Sequence, residues 1–493
     1  MYCGNCGAAQ PDRAGFCTQC GARRADAGRD WPEPAAPPPQ PGAPAYQPPR
    51  RRGRTMIAVA AAVVVLGGLA VAGWQEHWPP AVFGSPAAPA LTWRAAQAPL
   101  PADAAQASGQ SAGLNDVACT GAQSCVAVGY YTSDSGGSSG STQGLIETLS
   151  RGTWTPAAAP VNLPGITFAE LGGVACPAEG ACVAVGSYYD SQNVERPLTE
   201  TLSAGTWSPA EAALPGDADQ GRSAYLSQVA CPARGACVAT GWYTDQNGDS
   251  QGLIDTLSGG SWTAERAPLP AGAVPRKAGS STLPVSLFVV RCPAAGTCVA
   301  TGEYADQNGN QGLIDMLSGG SWTAERAPLP GDAAVPDPAA LVWAVACPAS
   351  GTCLATGHYN SRNGQSRGLI ETLSGGRWTP AGAPLPADAA ARQKWSLSQA
   401  VGLTSTACRA AGACVAAGNY AARNGGIEGV IDTLSGGSWT AARARLPAGA
   451  ATAAQYVFFN SAACPAAGHC VAVGGYKLRN GGTVGMIDTA ASE

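Results

Sequence analysis

Four cysteines stand within the first twenty residues as two C-x-x-C pairs, Cys3/Cys6 and Cys17/Cys20, each pair followed by glycine (Gly7, Gly21). Two sulfurs reach one metal only through a tight turn, and C-x-x-C with a following glycine supplies it. Four thiolates complete a closed tetrahedral Zn²⁺ site, structural and without an open ligand position. So short a segment cannot bury a core, so the zinc itself would supply the folding energy. The alternative, a pair of redox C-x-x-C motifs, lacks the βαβ context such chemistry uses. Fourteen further cysteines follow as seven C-x5-C pairs: Cys119/Cys125, Cys176/Cys182, Cys231/Cys237, Cys292/Cys298, Cys347/Cys353, Cys408/Cys414 and Cys464/Cys470. Regular pairing without accompanying histidines favours seven disulfides over metal binding, provided the segment lies in an oxidising compartment. Each is expected to bridge the turn between two strands, closing a tiny loop and contributing at the low end of the disulfide range.

Acid–base candidates are few. Glu303 and His358 are the residues on which general acid–base chemistry would rest. Seven further acids, Glu147, Glu200, Asp255, Asp315, Glu371, Asp432 and Asp488, recur once per repeat. A residue present in every repeat builds the scaffold, so these are expected to hydrogen-bond neighbouring turns or strands. Asp245-Gln246-Asn247-Gly248-Asp249 looks like half of a Ca²⁺ loop, but a plain Asn-Gly hairpin is the better reading.

The elements that must position these residues are repeats. Each Cys pair is followed four residues later by glycine (Gly129, Gly186, Gly241, Gly302, Gly357, Gly418, Gly474) and two further on by tyrosine (Tyr131, Tyr188, Tyr243, Tyr304, Tyr359, Tyr420, Tyr476). A polar turn, often Asn-Gly, leads to a GLI-[DE]-T-L-S strand, a Ser-Gly-Gly turn, a Trp-Thr strand and A-P-L-P. Four short strands in a unit of this length predict a blade of a β-propeller. The first Trp strand, around Trp93, precedes the first Cys pair, and the last repeat ends at Asp488-Thr489 without one. The orphan strand is therefore expected to complete the seventh blade and close the ring. The fold class read from the sequence is all-β: a seven-bladed propeller over residues 91–493, closed by its N-terminal strand.

A divider separates the two cysteine groups. Residues 55–75 hold a twenty-residue uncharged run from Thr55 to Trp74, preceded by Arg50, Arg51, Arg52 and Arg54. That length crosses a bilayer as a helix, and the arginine flank puts the N-terminus in the cytosol. A late signal peptide, cleaved near Ala70-x-Ala72, is the alternative; either way the repeats are exported. Residues 25–54 are a Pro-rich linker with a basic flank, and residues 76–90 a second linker. The first 54 residues carry eight arginines against four acids, while the remainder holds 21 basic and 29 acidic residues. No basic face is left for nucleic acid.

Two resemblances follow. Residues 1–24 resemble the short zinc ribbons at the N-termini of many bacterial membrane proteins. The S-G-G-S-W-T turn resembles the Asp-box turn of sialidase-like BNR-repeat propellers, without the turn aspartate in any copy. That resemblance implies a propeller and a family rich in glycan-related members. Its arginine cluster has no counterpart here, since Arg222, Arg276, Arg291 and Arg392 do not fall at matching positions.

Between the fixed glycine and tyrosine stand Tyr130, Ser187, Trp242, Glu303, His358, Asn419 and Gly475, seven residue types in seven repeats. The same end of the blades carries Phe168, Tyr225, Phe288, Trp343, Trp395 and Tyr456, placed by the sequence in the blade-to-blade connections. Tyr130, Trp242, Glu303, His358, Asn419, Trp343 and Trp395 are the expected ligand-binding residues. The reading is a membrane-anchored extracellular binding or scaffolding protein for an envelope glycan or protein, with a possible cytosolic protein partner at the ribbon. A glycan-cleaving hydrolase or lyase is the first alternative and a transmembrane sensor the second.

Overall fold

The computed structural model describes residues 91–105, 110–134, 141–161, 166, 168–278, 285–391, 402–451 and 456–492, within one compact unit, 76–493. The expected zinc ribbon with Cys3, Cys6, Cys17 and Cys20, the membrane span and Trp395 lie outside the described residues. Among the described residues no helix is long and apolar enough to cross a membrane.

Twenty-eight strands form seven four-stranded antiparallel sheets. Blade 4 shows the plan: an inner strand Ser286–Ala294, a second strand Thr297–Asp306, a third Gly309–Ser318 and an outer strand Ser321–Arg326. The other blades repeat it, with inner strands Ala112–Gly121, Phe168–Ala178, Ala224–Ala233, Leu341–Ala349, Gly402–Ala410 and Val457–Ala466. Blade 7 takes its outer strand from Leu91–Gln97, which pairs antiparallel with Thr483–Ser492, Trp93 opposite Ala490. The closure expected from the orphan Trp strand is present.

All seven disulfides are formed, each across the turn between the inner and second strands, with Cα atoms 4.0–4.1 Å apart. The two sulfurs of a bridge have different surroundings, which corrects the picture of a staple confined to the turn. The first cysteines, Cys119, Cys176, Cys231, Cys292, Cys347, Cys408 and Cys464, end the inner strands and are half-buried at one end of the central channel. The second cysteines, Cys125, Cys182, Cys237, Cys298, Cys353, Cys414 and Cys470, are buried and belong to the apolar clusters between blades. They differ because the second strand is an interior strand of its sheet, with a neighbouring blade packed on its face. Cys125, Cys182, Cys237, Cys298 and Cys353 are thus core residues as well as bridge partners. Each bridge adds apolar packing to its small loop-closure term.

The core lies between blades. Leu145 and Tyr131 of blade 1 pack on Val473 and Ile487 of blade 7, while Val128 and Ile146 on the opposite face pack on Leu171 and Leu198 of blade 2. The tyrosine ring is scaffold, as expected: all seven are buried. Tyr359 and Tyr420 each donate to an aspartate of the connection that leads in from the preceding blade, Asp332 and Asp388, at 2.8 Å.

Every inner strand carries a β-bulge after its second, third or fourth residue, for example between Leu287 and Val289. In several blades the bulged residue bonds the neighbouring blade. Asn115 Nδ2 donates to Leu171 O at 2.9 Å, Ser227 Oγ to Leu287 O at 2.6 Å and Asn460 Nδ2 to Leu114 O at 2.9 Å. The bulge also explains the glycine four residues after each second cysteine. A Cβ on Gly302 would stand 2.0 Å from the carbonyl oxygen of Ser286, and the other six glycines meet the same approach. Gly302→Ala is therefore expected to destabilise the propeller by about 3 kcal/mol, since backbone must move to admit the methyl group. A thermal melt of the variant checks it; an unchanged midpoint would mean the bulge relaxes freely.

Candidate functional site

The two ends of the channel bounded by the inner strands differ in chemistry. At the disulfide end a cavity of about 330 Å³ is lined by residues of all seven inner strands. Six of the seven residues that precede the first cysteines are alanine and the seventh is Arg291. Its Nη1 donates to Val290 O at 2.9 Å, and its Nη2 lies 4.0 Å from Asp116 Oδ1. Asp116 is already satisfied by Ser461 Oγ and by the Val174 N–H at 2.7 Å. This end is almost uniform around the axis.

The opposite end is not. In the strand ladders each residue between glycine and tyrosine faces a residue near the start of the inner strand. The pairs are Gly113/Tyr130, Glu170/Ser187, Tyr225/Trp242, Ser286/Glu303, Leu341/His358, Gly402/Asn419 and Phe458/Gly475. Both members vary from blade to blade, and in blades 1 and 7 large opposes small. The ring of Tyr130 lies over Gly113, 3.1 Å from where a Cβ would be, and the ring of Phe458 lies over Gly475. Part of the variability is therefore cross-strand packing.

Blade 5 shows this most clearly. His358 is fully buried, its ring 4.5 Å from that of Trp343, and burial holds it neutral with a pKa near 3. A Cβ on Gly402 would meet both residues. His358 is thus enclosed by its neighbours in this blade. Asn419 is also buried, with Oδ1 lacking a hydrogen-bond partner among the described residues. The aromatics assigned to connections are elsewhere than expected: Phe168, Tyr225, Phe288 and Trp343 belong to inner strands. Of that group, Tyr456 precedes its strand and is exposed.

Blades 1 to 4 are different. Glu170, Tyr225 and Ser286 hold the same register on three successive inner strands. Tyr225 is edge-on to Trp242, ring centroids 5.7 Å apart. Burial pushes its hydroxyl up to about 12; the Ser286 side chain lowers it somewhat, and the charges of Glu195, Glu303 and Glu170 raise it. Ser187 Oγ donates to Glu195 Oε1 at 2.9 Å, and Asn115 Nδ2 to Glu170 Oε1 at 2.8 Å. Burial raises all three carboxyls, Glu303 well above the ordinary range; the Asn115 and Ser187 bonds partly offset this at Glu170 and Glu195. Tyr130 is raised too, by burial and then by Glu170. The structure therefore gathers Tyr130, Trp242 and Glu303 and adds Glu170, Glu195, Tyr225 and Ser286. The sequence reading had not picked out Glu170, Glu195 or Ser286. The signal for two of them was present: the residue before the apolar one early in each inner strand also varies blade by blade.

Asp245, the first acid of the loop that looked like a Ca²⁺ site, has its oxygens engaged. Oδ1 accepts the N–H groups of Asn247 and Asp249 at 2.9 and 3.0 Å, and Oδ2 accepts Gln251 Nε2 at 3.0 Å. It is a turn-forming aspartate.

No family model matches the chain, and no curated protein matches it. Among solved structures it is similar to a protein of unknown function from Dyadobacter fermentans, with 11% identity, TM-score 0.45, and 81% of this chain and 99% of that one covered. It is also similar to the propeller domain of the Trilobed protease of Pyrococcus furiosus, with 9% identity, TM-score 0.40, and 76% and 95% covered. A Hadza microbial sialidase shares 12% identity at TM-score 0.39, with 72% and 73% covered. Likeness at this level assigns no activity.

Proposed function

We propose that the chain is a membrane-anchored extracellular binding protein. Its propeller recognises an envelope glycan or protein at the variable mouth, and a cytosolic zinc ribbon at Cys3, Cys6, Cys17 and Cys20 is open to a protein partner. The observation that carries the binding reading is the break in sevenfold symmetry: unlike residues from blades 1 to 4 converge around Tyr225. Seven disulfides suit an extracytoplasmic ring, and the uncharged run within residues 55–75 suits an anchor.

Glu303 favours a second reading, glycan cleavage. Burial keeps its carboxyl protonated well above the ordinary range, which is what a general acid requires. One experiment separates the two: the purified full chain in detergent is titrated with envelope polysaccharides of its own host, following tryptophan fluorescence and release of reducing ends. Saturable binding without release is expected, weakened about fivefold or more by Trp242→Ala or Glu303→Ala, in the range for an interface residue that matters. Release of reducing ends, abolished by Glu303→Gln, would establish the enzyme instead.

A further inference from the structure

Among the described residues the mouth gathers carboxyls without a basic side chain bonded to them. Glu170 and Tyr225 stand on neighbouring inner strands, Glu195 joins them through Ser187, and Glu303 stands opposite Ser286 on the next inner strand. Glu303 is 2% exposed, and its Oε2 has no hydrogen-bond partner among the described residues. The groups acting on Glu170 and Glu195 are Asn115, Ser187 and each other's neighbourhood, and burial alone acts on Glu303; no lysine or arginine is among them. Three carboxyls drawn out of water with no cation beside them must be neutralised by protons or by a ligand.

We propose that this mouth takes a protonated amine, held among Glu170, Glu195 and Glu303 beside the rings of Tyr225 and Trp242. The inference rests on reading the mouth as the binding site and names the class of group it selects. An ammonium group suits the arrangement in three ways. Its three N–H donors answer the orphaned Oε2 of Glu303 and the acceptors left on Glu170 and Glu195. Its charge is favoured by aromatic neighbours at short range. Its longer contacts tolerate looser convergence of the carboxyls of blades 2 and 4 than a metal ion does, and among the described residues no three such ligands could hold a metal. Burial makes these carboxyls easier to protonate, so an ammonium competes with protons for them and binding tightens as pH rises.

The test titrates the full chain in detergent with propylammonium, n-propanol and Ca²⁺ at pH 6 and pH 8, read by tryptophan fluorescence. Propylammonium is expected to saturate while n-propanol does not, with affinity about tenfold higher at pH 8 than at pH 6, as competition with bound protons dictates. Glu303→Gln is expected to remove that pH dependence, and Glu195→Gln, at the rim, to weaken affinity severalfold; agreement between the two guards against a folding defect in one. Equal binding of n-propanol, or tighter binding of Ca²⁺, overturns the amine and leaves the mouth as a site. No response to any of the three also overturns it. If host polysaccharide is then silent as well, the binding reading falls with it.

Discussion

A chain beginning at residue 98 instead of residue 76 is expected to lose about 5 °C in unfolding midpoint and to self-associate. Removing Leu91–Gln97 strips the partner from Thr483–Ser492 and leaves that strand as an open edge, which invites pairing with another copy. Leu91, Trp93 and Ala95 cover a cluster containing Met486 and Tyr476, both fully buried, and Tyr476 loses its acceptor Gln97. Uncovering two large side chains costs about 1.5–3 kcal/mol each, and a loss near 4 kcal/mol corresponds to a shift of about 5 °C in a domain this large. Blade 1 suffers as well, because its face packs on Val473 and Ile487 of the damaged blade. Thermal melts and size-exclusion chromatography of the two chains check this. A synthetic peptide of residues 91–101 is expected to restore the monomer. An unaltered midpoint and a monodisperse truncated chain would show that the ring closes without its clasp.

The architecture was legible because it repeats. Seven cysteine pairs, seven tryptophans and one strand out of place specify blade number and closure without any tertiary knowledge. What escaped depends on contacts between strands that no period encodes. The spacing of Cys119 and Cys125 shows a bridge, but not that Cys125 lies in the core while Cys119 lines the channel. The glycine at 302 and its six equivalents could be seen as required, but the bulge that drives a carbonyl onto them could not. His358 looked like a site residue because it is singular; it is singular because Trp343 and Gly402 shape a pocket for a ring there. Glu170 was missed because variability was sought on one strand of each pair, whereas packing makes both strands vary together. The repeated acids were rightly set apart as scaffold, but their expected hydrogen bonds are largely missing.

Those acids carry the other large effect: the propeller is expected to lose stability as pH rises from 5 to 8. Glu147, Glu200, Asp255, Asp315, Glu371, Asp432 and Asp488 are all fully buried in the middle of their sheets, flanked by alanine or proline on both neighbouring strands, as Ala300 and Ala324 flank Asp315. None of the seven has a hydrogen-bond partner at either oxygen among the described residues, although the backbone at Ala213 and Thr256 partly offsets the effect of burial at Asp255. The sequence limits the donors on offer. Ala213 belongs to the preceding blade, and its counterparts in five blades are Pro99, Pro160, Pro268, Pro328 and Pro384, which have no N–H to give. The seventh is Arg445, whose charge slightly lowers Asp488, while Glu325 beside Glu371 raises that carboxyl further. Burial pushes Glu147 and Asp432 to about 8 and Glu200, Asp255 and Asp488 to about 7, with Asp315 and Glu371 well above the usual range. A carboxyl raised by folding holds its proton where the unfolded chain has released it. Its contribution is thus complete below about pH 4, where both states are protonated, and is lost as pH climbs through the folded value. One such group changes stability by roughly 1.4 kcal/mol per pH unit inside that window, about 4 kcal/mol over three units, and several share the window here. Melting temperatures of the full chain at pH 5, 6, 7 and 8 are expected to fall steadily. The triple substitution Glu147→Gln, Glu200→Gln, Glu371→Gln is expected to flatten the slope, because an amide keeps the shape and cannot ionise. The slope is the informative quantity, since the amide's own unpaired N–H groups cost the same at every pH. A midpoint that stays level or rises between pH 5 and 8 would mean that the seven carboxyls are ionised and solvated inside the ring.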